Sequence, residues 1–226
     1  LKDILRVGVP SSVQHTSMAI MMMALNGMLV AVGGEDAVAV FTTGWRVIMV
    51  VTLPIIGLTT ALVSVSGAAM GMRDVKRLDT GYLYAVKLGV LVEVLGLVAI
   101  MLLAEPIARV FTNSPGSLRI RGDLVIFLQT MSYFLPFVPL GMCTSGMFQG
   151  IGKGSYALIT TLIRTLIFAV PFAYLIGVLW MNSLQGICIG IVLANSLGSL
   201  VTFIWARVII RRLGLALGAP VAQASS

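Results

Sequence analysis

The stretch that decides the fold is Phe41 to Arg77, with the sequence FTTGWRVIMVVTLPIIGLTTALVSVSGAAMGMRDVKR. Arg46 is the only charged residue before the basic turn that closes the stretch. The hydrocarbon core of a bilayer takes about 20 apolar residues in helical form, so this run is long enough to cross a membrane and to bend within it. Proline lacks a backbone donor, and we therefore predict a bend at Pro54.

The composition of the chain is that of an integral membrane protein. Of its 226 residues, 58% are hydrophobic and 10% are charged, and the mean hydropathy is +1.05. So few charges cannot coat the surface of a soluble globule. The formal net charge of +7 would suit a nucleic-acid partner if the basic residues formed a patch. They lie in short turns between apolar runs, so we interpret them as a topology signal and predict no nucleic-acid partner.

Six apolar segments follow one another along the chain, each long enough for a membrane helix. Strands of a barrel would be about 10 residues long and would alternate strictly, which none of these segments does. We therefore predict an all-α, polytopic membrane protein. Residues 1–212 are expected to form one lobe of six transmembrane helices, and residues 213–226 a disordered tail. The predicted helices span about residues 11–32, 37–70, 80–104, 124–148, 155–180 and 184–206.

The basic residues predict the orientation of this bundle. An even number of crossings places both termini on one side of the membrane, and loops rich in Lys and Arg stay in the cytoplasm. Most of the fifteen Lys and Arg residues fall on the face that carries the termini. We therefore predict a multi-pass protein of the cell membrane, surrounded by lipid, with both termini of this segment cytoplasmic. The residues on that face are Lys2, Arg6, Arg73, Lys76, Arg77, Lys153, Arg207, Arg211 and Arg212; Arg109, Arg119 and Arg121 fall on the other.

The first helix carries a stripe of polar and sulfur-containing side chains. Its members fall within about an 80° arc at 100° per residue. Polar groups that face lipid are costly, so we expect the stripe to face protein or a water-filled cavity. It could bind neighbouring helices through hydrogen bonds, or line a cavity in which methionines adapt to ligands of different shapes. The stripe consists of Ser11, His15, Met18, Met22 and Asn26.

The fourth helix combines aromatic side chains, an amide and two prolines. Pro136 and Pro139 should bend it and free backbone carbonyls, which a membrane tolerates only where they face protein or water. An amide near aromatic rings suits a planar or cationic organic ligand, although a kinked core helix would carry the same residues. Together the two helices supply six candidates for the lining of a cavity: His15, Met22, Asn26, Gln129, Tyr133 and Phe137.

Three charged side chains lie deep inside the apolar segments, namely Arg46, Glu93 and Arg164. A buried carboxylate can bind a proton or a cation, and Glu93 is therefore a candidate coupling site. Arg46 and Arg164 each lie at a depth in the membrane similar to that of Glu93. We predict a structural ion pair between Glu93 and one of these arginines.

Four motifs are spaced along nearly the whole chain. Arg6-Val7-Gly8-Val9-Pro10 opens the first helix, and Gly146-Met147-Phe148-Gln149-Gly150-Ile151-Gly152 closes the fourth. The second helix carries Arg46, then a Pro-x-x-Gly bend and Ser-x-Ser-Gly-Ala-x-x-Gly, and the fifth carries Arg164 and Pro171. In this order and spacing the chain resembles the C-terminal six-helix half of the multidrug and toxic compound extrusion (MATE) exporters.

The resemblance implies a secondary active exporter of amphipathic or cationic organic compounds that works by alternating access. It implies an N-terminal six-helix half, or a second copy of this chain, as the partner. It implies no cofactor, and a proton or sodium gradient as the source of energy. Some bacterial members carry acidic residues in the first and fourth helices of this half, where this sequence has Met18 and Val138. The resemblance therefore places the coupling carboxylate in the missing half.

Other functions remain as alternatives. A lipid-linked saccharide flippase of the same superfamily would be expected to have a strongly basic cavity, for which the sequence offers only Arg46 and Arg164. A non-transporting membrane scaffold subunit would have a fully packed interior. The chain could also be a complete half-size transporter that dimerises, although it begins with Leu1, and we therefore expect a piece of a larger protein. One histidine and no paired carboxylates, metal-ligand pair or phosphate loop predict that it is not an enzyme.

Overall fold

The computed structural model describes residues 2–113 and 118–216, and for residues 2–11 and 216 it describes the backbone alone. The protein is an all-α membrane bundle, and no strand occurs within the described ranges. Two helices, α1 (residues 2–33) and α2 (residues 35–71), come from one helical stretch, Lys2–Gly71, that is broken at Gly34. The others are α3 (Val75–Phe111), α4 (Leu118–Gly150), α5 (Gly154–Trp180) and α6 (Leu184–Ala216).

The break at Gly34 turns one apolar stretch into two membrane crossings. Its apolar part, Ser12–Gly71, has 60 residues, and as a straight helix it would be about 90 Å long, or three times the thickness of a bilayer core. Gly34 has φ 64° and ψ −150°, a conformation that glycine adopts at little cost. Gln14 of α1 and Thr59 of α2 line the same cavity, which requires the chain to fold back at Gly34. With the break at Gly34, the five helical stretches that are long and apolar enough to span a membrane comprise six helices in the described ranges.

Ion pairs tie the helices together at both ends of the bundle. At the end that contains the Gly34 turn, here called the hairpin end, Arg119 of α4 contacts Asp36 of α2 at 2.5 Å. At the opposite end, here called the terminal end because α1 begins and α6 ends there, Arg207 of α6 pairs with Asp79 of α3. The second pair is the less exposed of the two. These pairs join helices that are distant in sequence.

Several helices extend beyond the predicted limits. The third helix was predicted for residues 80–104, but α3 runs from Val75 to Phe111, because helical hydrogen bonding continues after the apolar run ends. At its start, the side chain of Asp74 accepts a hydrogen bond from the backbone N–H of Arg77 at 2.9 Å, which caps the helix. At the other end of the chain, α6 continues to Ala216, so residues 213–216 of the predicted tail are helical. The rest of that predicted tail lies outside the described residues.

Glycines allow α4 to pack closely against α2 and α3. A side chain on Gly150 would collide with the backbone of Val63 in α2. A side chain on Gly89 of α3 would lie 2.7 Å from the ring of Pro139. Small residues at helix crossings let backbones approach where lipid provides no hydrophobic driving force. Between α3 and α4 a buried hydrogen bond of 2.7 Å joins the hydroxyl groups of Tyr82 and Thr144.

Two helices depart from regular α-helical geometry. In α4 the α-helix stops at Ser132, a 3-10 turn follows over Leu135–Phe137, and the α-helix resumes at Val138. Pro136 and Pro139 lie at this interruption, where each removes a backbone donor. In α5 the stretches Ile163–Ala169 and Ala173–Trp180 are π-helical. By contrast, α2 keeps helical backbone angles through Pro54, so the predicted bend there produces no break in the helix.

Candidate functional site

The two helices that carry the predicted lining residues, α1 and α4, lie side by side and antiparallel. Near the terminal end, the Gln14 side-chain amide donates to Ser145 Oγ at 3.4 Å, and Gln149 donates to Gln14 Oε1 at 3.5 Å. Near the hairpin end, Val32 lines a cavity together with Ile126 of α4. Contacts at both ends fix the register of the two helices. The line between α1 and α4 that joins these two sites is here called the α1–α4 seam.

A cavity of about 150 Å³, here called the polar cavity because most of its lining residues are of polar type, lies at the terminal-end part of the seam. Side chains from four helices, α1, α2, α4 and α5, converge on it. Among the described residues that line it, Arg164 is the only Lys, Arg, Asp or Glu, and the other polar groups are amides, hydroxyls and one imidazole. Its electrostatic character therefore depends on one guanidinium. The lining residues are Gln14, His15, Met18, Thr59, Met142, Ser145, Gly146, Gln149, Thr161 and Arg164.

Arg164 reaches this cavity from the first π-helical stretch of α5. Its guanidinium occupies the space that a side chain on Gly141 of α4 would need, and its stem lies against Gly198 of α6. The buried hydroxyl of Ser199 lies at the same position, 3.0 Å from where a Cβ of Gly141 would stand, and has no hydrogen-bond partner among the described residues. Two glycines thus make room for a half-buried arginine.

No acidic side chain among the described residues forms an ion pair with Arg164. The ion pairs among the described side chains join Glu105 to Arg109, Asp36 to Arg119 and Asp79 to Arg207. None of the hydrogen bonds of the described residues involves the Arg164 guanidinium. An arginine inside a membrane is costly unless water or an anion compensates its charge.

A second cavity, of about 420 Å³, opens at the hairpin end of the seam. Asp123 is the only charged residue among the described residues that line this cavity, so its charge is opposite to that of the polar cavity. One side of it is apolar, formed by Val32, Ile126, Phe127 and Leu184. It lies among α1, α4 and the turn between α5 and α6. The remaining lining residues are Thr130, Asn182, Ser183, Gln185 and Cys188.

The structure brings only part of the predicted lining set into a cavity. His15 lines the polar cavity together with Met18, whereas the side chain of Ser11 lies outside the described residues. The other five candidates line neither cavity. Tyr133 is 59% exposed, Asn26 and Gln129 are also exposed, and Met22 and Phe137 are half-buried. Asn26 and Tyr133 lie between the two ends of the seam, where they face outward from this bundle.

Sequence reasoning missed several residues of the polar cavity. Gln14 was overlooked beside His15, and Gln149 was used only as part of a motif. Ser145 and Gln149 are four residues apart on α4 and so lie on one helical face, which was the available signal. Thr59 and Thr161 carry no such signal, because threonine is common in membrane helices and both could bond their own helix. Thr161 does so, donating to the carbonyl of Ala157 at 3.2 Å.

The predicted ion pair of Glu93 is wrong. Glu93 is fully buried, and neither carboxylate oxygen has a hydrogen-bond partner among the described residues. Its surroundings are apolar: Gly96, one turn away, packs against Val51, and Gly89 packs against Ile55 and Pro139. Arg46 is exposed on α2 and Arg164 lies in the polar cavity, so neither reaches Glu93. Similar depth in the membrane did not bring the charges together, because they lie on different faces of their helices.

Comparison with known proteins agrees with this architecture. The family model described as MatE matches residues 10–175. The "Probable multidrug resistance protein YpnP" of Bacillus subtilis (strain 168) is 24% identical over 204 residues, which cover 90% of this chain and 44% of that protein.

Two solved structures of multidrug resistance MATE family transporters of the MOP superfamily are also similar. An outward-facing conformation is 47% identical with a TM-score of 0.91, and the match covers 94% of this chain and 47% of that one. An inward-facing conformation is 46% identical with a TM-score of 0.89, and the match covers 95% of this chain and 49% of that one. The chain therefore spans about half the length of the proteins that it matches.

Proposed function

Because this chain belongs to the MATE family of multi-pass membrane transporters, we propose that it forms one half of a secondary active multidrug exporter. A second six-helix half, or a second copy of this chain, completes the transporter. The two halves enclose a central pathway, and their rocking exposes it to one side of the membrane at a time. The relative and the solved structures are named for multidrug resistance, and we infer that the exported compounds are amphipathic or cationic organic molecules.

The observation that carries this proposal is the α1–α4 seam. Asn26 and Tyr133 are exposed between a cavity near each end of the seam. An amide and a phenol are costly against acyl chains, so this face suits a wet surface shared with the second half. The outward-facing and inward-facing relatives support alternating access to such a surface. A fully packed scaffold subunit would not be expected to expose polar side chains on this face.

The gradient that drives export is carried by protons or sodium ions. Met18 lines the polar cavity and Val138 is buried, and neither can bind a cation through a carboxylate. The carboxylate of Glu93 has no hydrogen-bond partner among the described residues, which disfavours a cation site there. We therefore assign the coupling carboxylate to the other half. In the cell membrane both termini of this segment face the cytoplasm, as the distribution of the basic residues favours.

Transport is tested with the intact parent protein in inverted membrane vesicles. Proton and sodium gradients are imposed separately, and uptake of a fluorescent cationic drug is followed. We expect accumulation with one gradient and none when that gradient is collapsed. Equal signals in vesicles with and without the protein under both gradients would reject a coupled exporter.

A lipid-linked saccharide flippase is the second function that the fold could support. It would bind a pyrophosphate, and several basic side chains would be expected in its pathway. Arg164 is the only Lys or Arg among the residues that line the two cavities, which favours the exporter.

A further inference from the structure

The polar cavity has a charge without a counter-charge, and this imbalance indicates a ligand. Arg164 supplies a positive charge to a space of about 150 Å³, and no Asp or Glu is among the described residues that line it. The acidic side chains that the structure describes are all engaged or placed elsewhere. Asp36, Asp79 and Glu105 form ion pairs, Asp74 caps α3, Glu35 is exposed beside the Gly34 turn, Asp123 lines the other cavity, and Glu93 is buried against apolar neighbours.

Glycines on two neighbouring helices create the space that the Arg164 side chain occupies. Gly141 and Gly198 come from two different helices and both leave room for the arginine side chain. Alanine at Gly141 would collide with the guanidinium. The unpartnered hydroxyl of Ser199 is 1% exposed and lies beside the same position. A buried hydroxyl without a partner costs free energy, so this position beside the guanidinium is not satisfied by the protein alone.

The neutral groups of the cavity are also suited to an anion. The two hydrogen bonds that join Gln14 to Ser145 and to Gln149 are 3.4 and 3.5 Å long, at the weak end of the range. Their amide N–H groups can therefore turn to a better acceptor at little cost. Arginine with amides and hydroxyls around it is the donor set that recognises carboxylate, sulfonate and phosphate groups.

We propose that the polar cavity is an anion site in which Arg164 binds the acidic group of an amphipathic molecule. The cavity is smaller than the roughly 300–1,000 Å³ of drug-sized pockets, so it holds the acidic group and not the whole molecule. The apolar part of the bound molecule extends out of the cavity along the α1–α4 seam, toward Met22 and Phe137. Two sources have the required chemistry, a free amphipathic organic acid and the headgroup of an anionic lipid.

Binding is measured on the purified full-length protein in nanodiscs with two probes that share one fluorophore. Dansylglycine carries a carboxylate, and dansylcadaverine carries an amine. In phosphatidylcholine nanodiscs we expect Arg164→Gln to weaken dansylglycine binding about tenfold or more, the usual effect of losing one charge-assisted hydrogen bond, and to leave dansylcadaverine unchanged. Arg164→Lys should retain part of the affinity, because it keeps the charge and loses the planar fork.

Two further variants guard against loss of folding. Gln149→Ala keeps the arginine and removes one amide of the cavity, so it should weaken dansylglycine binding by a smaller factor. Lys87→Gln removes an exposed positive charge from α3, which does not line the cavity, and should bind both probes as the unmodified protein does. Because the readout is binding, it is independent of whether the protein exports a drug.

The lipid composition of the nanodisc distinguishes the two possible sources of the acidic group. If phosphatidylglycerol in the nanodisc displaces dansylglycine from the unmodified protein, the natural ligand is a lipid headgroup; if it does not, the ligand is a free amphipathic acid. The proposal is overturned if the unmodified protein does not bind dansylglycine, or if Arg164→Gln binds it equally well. It is also overturned if Arg164→Gln loses both probes equally while Gln149→Ala loses neither.

Discussion

The guanidinium of Arg164 occupies the place that a side chain on Gly141 would take. This relationship joins α5 to α4 at the edge of the polar cavity, and it explains why a glycine stands there. It also makes the arginine sensitive to a change as small as one methyl group.

Gly141→Ala should therefore destabilise the protein. Overpacking a tight contact costs about 1–3 kcal/mol, because the side chain or the backbone must move. Gly122→Ala is the matched control, since nothing lies within 4 Å of a Cβ at that position of α4. Melting temperatures in detergent should fall for Gly141→Ala and stay the same for Gly122→Ala. Equal melting temperatures for both variants would mean that Arg164 is not held against Gly141.

The hydrogen bond between Tyr82 and Thr144 is expected to contribute measurably to the packing of α3 on α4. Tyr82→Phe removes it, and Thr144 keeps its second partner, the carbonyl of Leu140 at 2.6 Å. Interhelical hydrogen bonds in membrane proteins contribute about 0.6 kcal/mol on average. A double-mutant cycle with Thr144→Val should give a coupling energy of that size. Tyr84→Phe, on an exposed tyrosine of the same helix, should change nothing.

The ion pair between Asp79 and Arg207 should stabilise the terminal end of the bundle. Both side chains are more than three-quarters buried, and Arg207→Gln would leave Asp79 without its partner at a cost of about 1–3 kcal/mol. Arg109→Gln breaks an exposed pair with Glu105, and its effect should be below about 0.5 kcal/mol. The two variants are compared by thermal unfolding in detergent. A larger loss for Arg109→Gln would contradict the assigned packing of α3 on α6.

Glu93→Gln should leave stability unchanged or raise it. The substitution keeps the shape of the side chain and removes a carboxylate that has no partner. Had the predicted ion pair with Arg46 or Arg164 existed, breaking it would cost about 3–5 kcal/mol. Thermal unfolding of Glu93→Gln distinguishes the two cases, and a loss of several kcal/mol would restore the ion pair.

The failure at Glu93 shows what a single sequence can and cannot provide. Apolar runs predict which residues can form membrane-spanning helices, since length and hydropathy are local properties. Each predicted segment lies within one of the helices α1 to α6. The depth of a residue in the membrane can also be predicted, from its position within the apolar run. Which face of one helix meets which face of another depends on packing between distant segments, so equal depth did not make Glu93 and Arg46 neighbours.

The polar cavity could not be predicted from the sequence for the same reason. Gln14 and Gln149 meet across 135 positions of sequence, and no local pattern reports that contact. The π-helical geometry of α5 changes the direction in which the Arg164 side chain projects from the helix axis. Predictions from sequence periodicity assume a regular α-helix and therefore place Arg164 on a different face. By contrast, the interruption of α4 at Pro136 and Pro139 could be anticipated, because proline acts on its own backbone.

The central claim is that the α1–α4 seam faces water inside the assembled transporter, and cysteine accessibility tests it most directly. The native Cys143 and Cys188 are buried and are first replaced by alanine. Asn26→Cys and Tyr133→Cys are then made in the full-length protein in vesicles and exposed to a membrane-impermeant thiosulfonate reagent. A thiol in lipid reacts poorly because it cannot ionise there. Leu102→Cys, on an exposed apolar position of α3, is the control. We predict that the two seam cysteines are labelled and the control is not; seam cysteines as unreactive as the control would contradict a water-lined pathway.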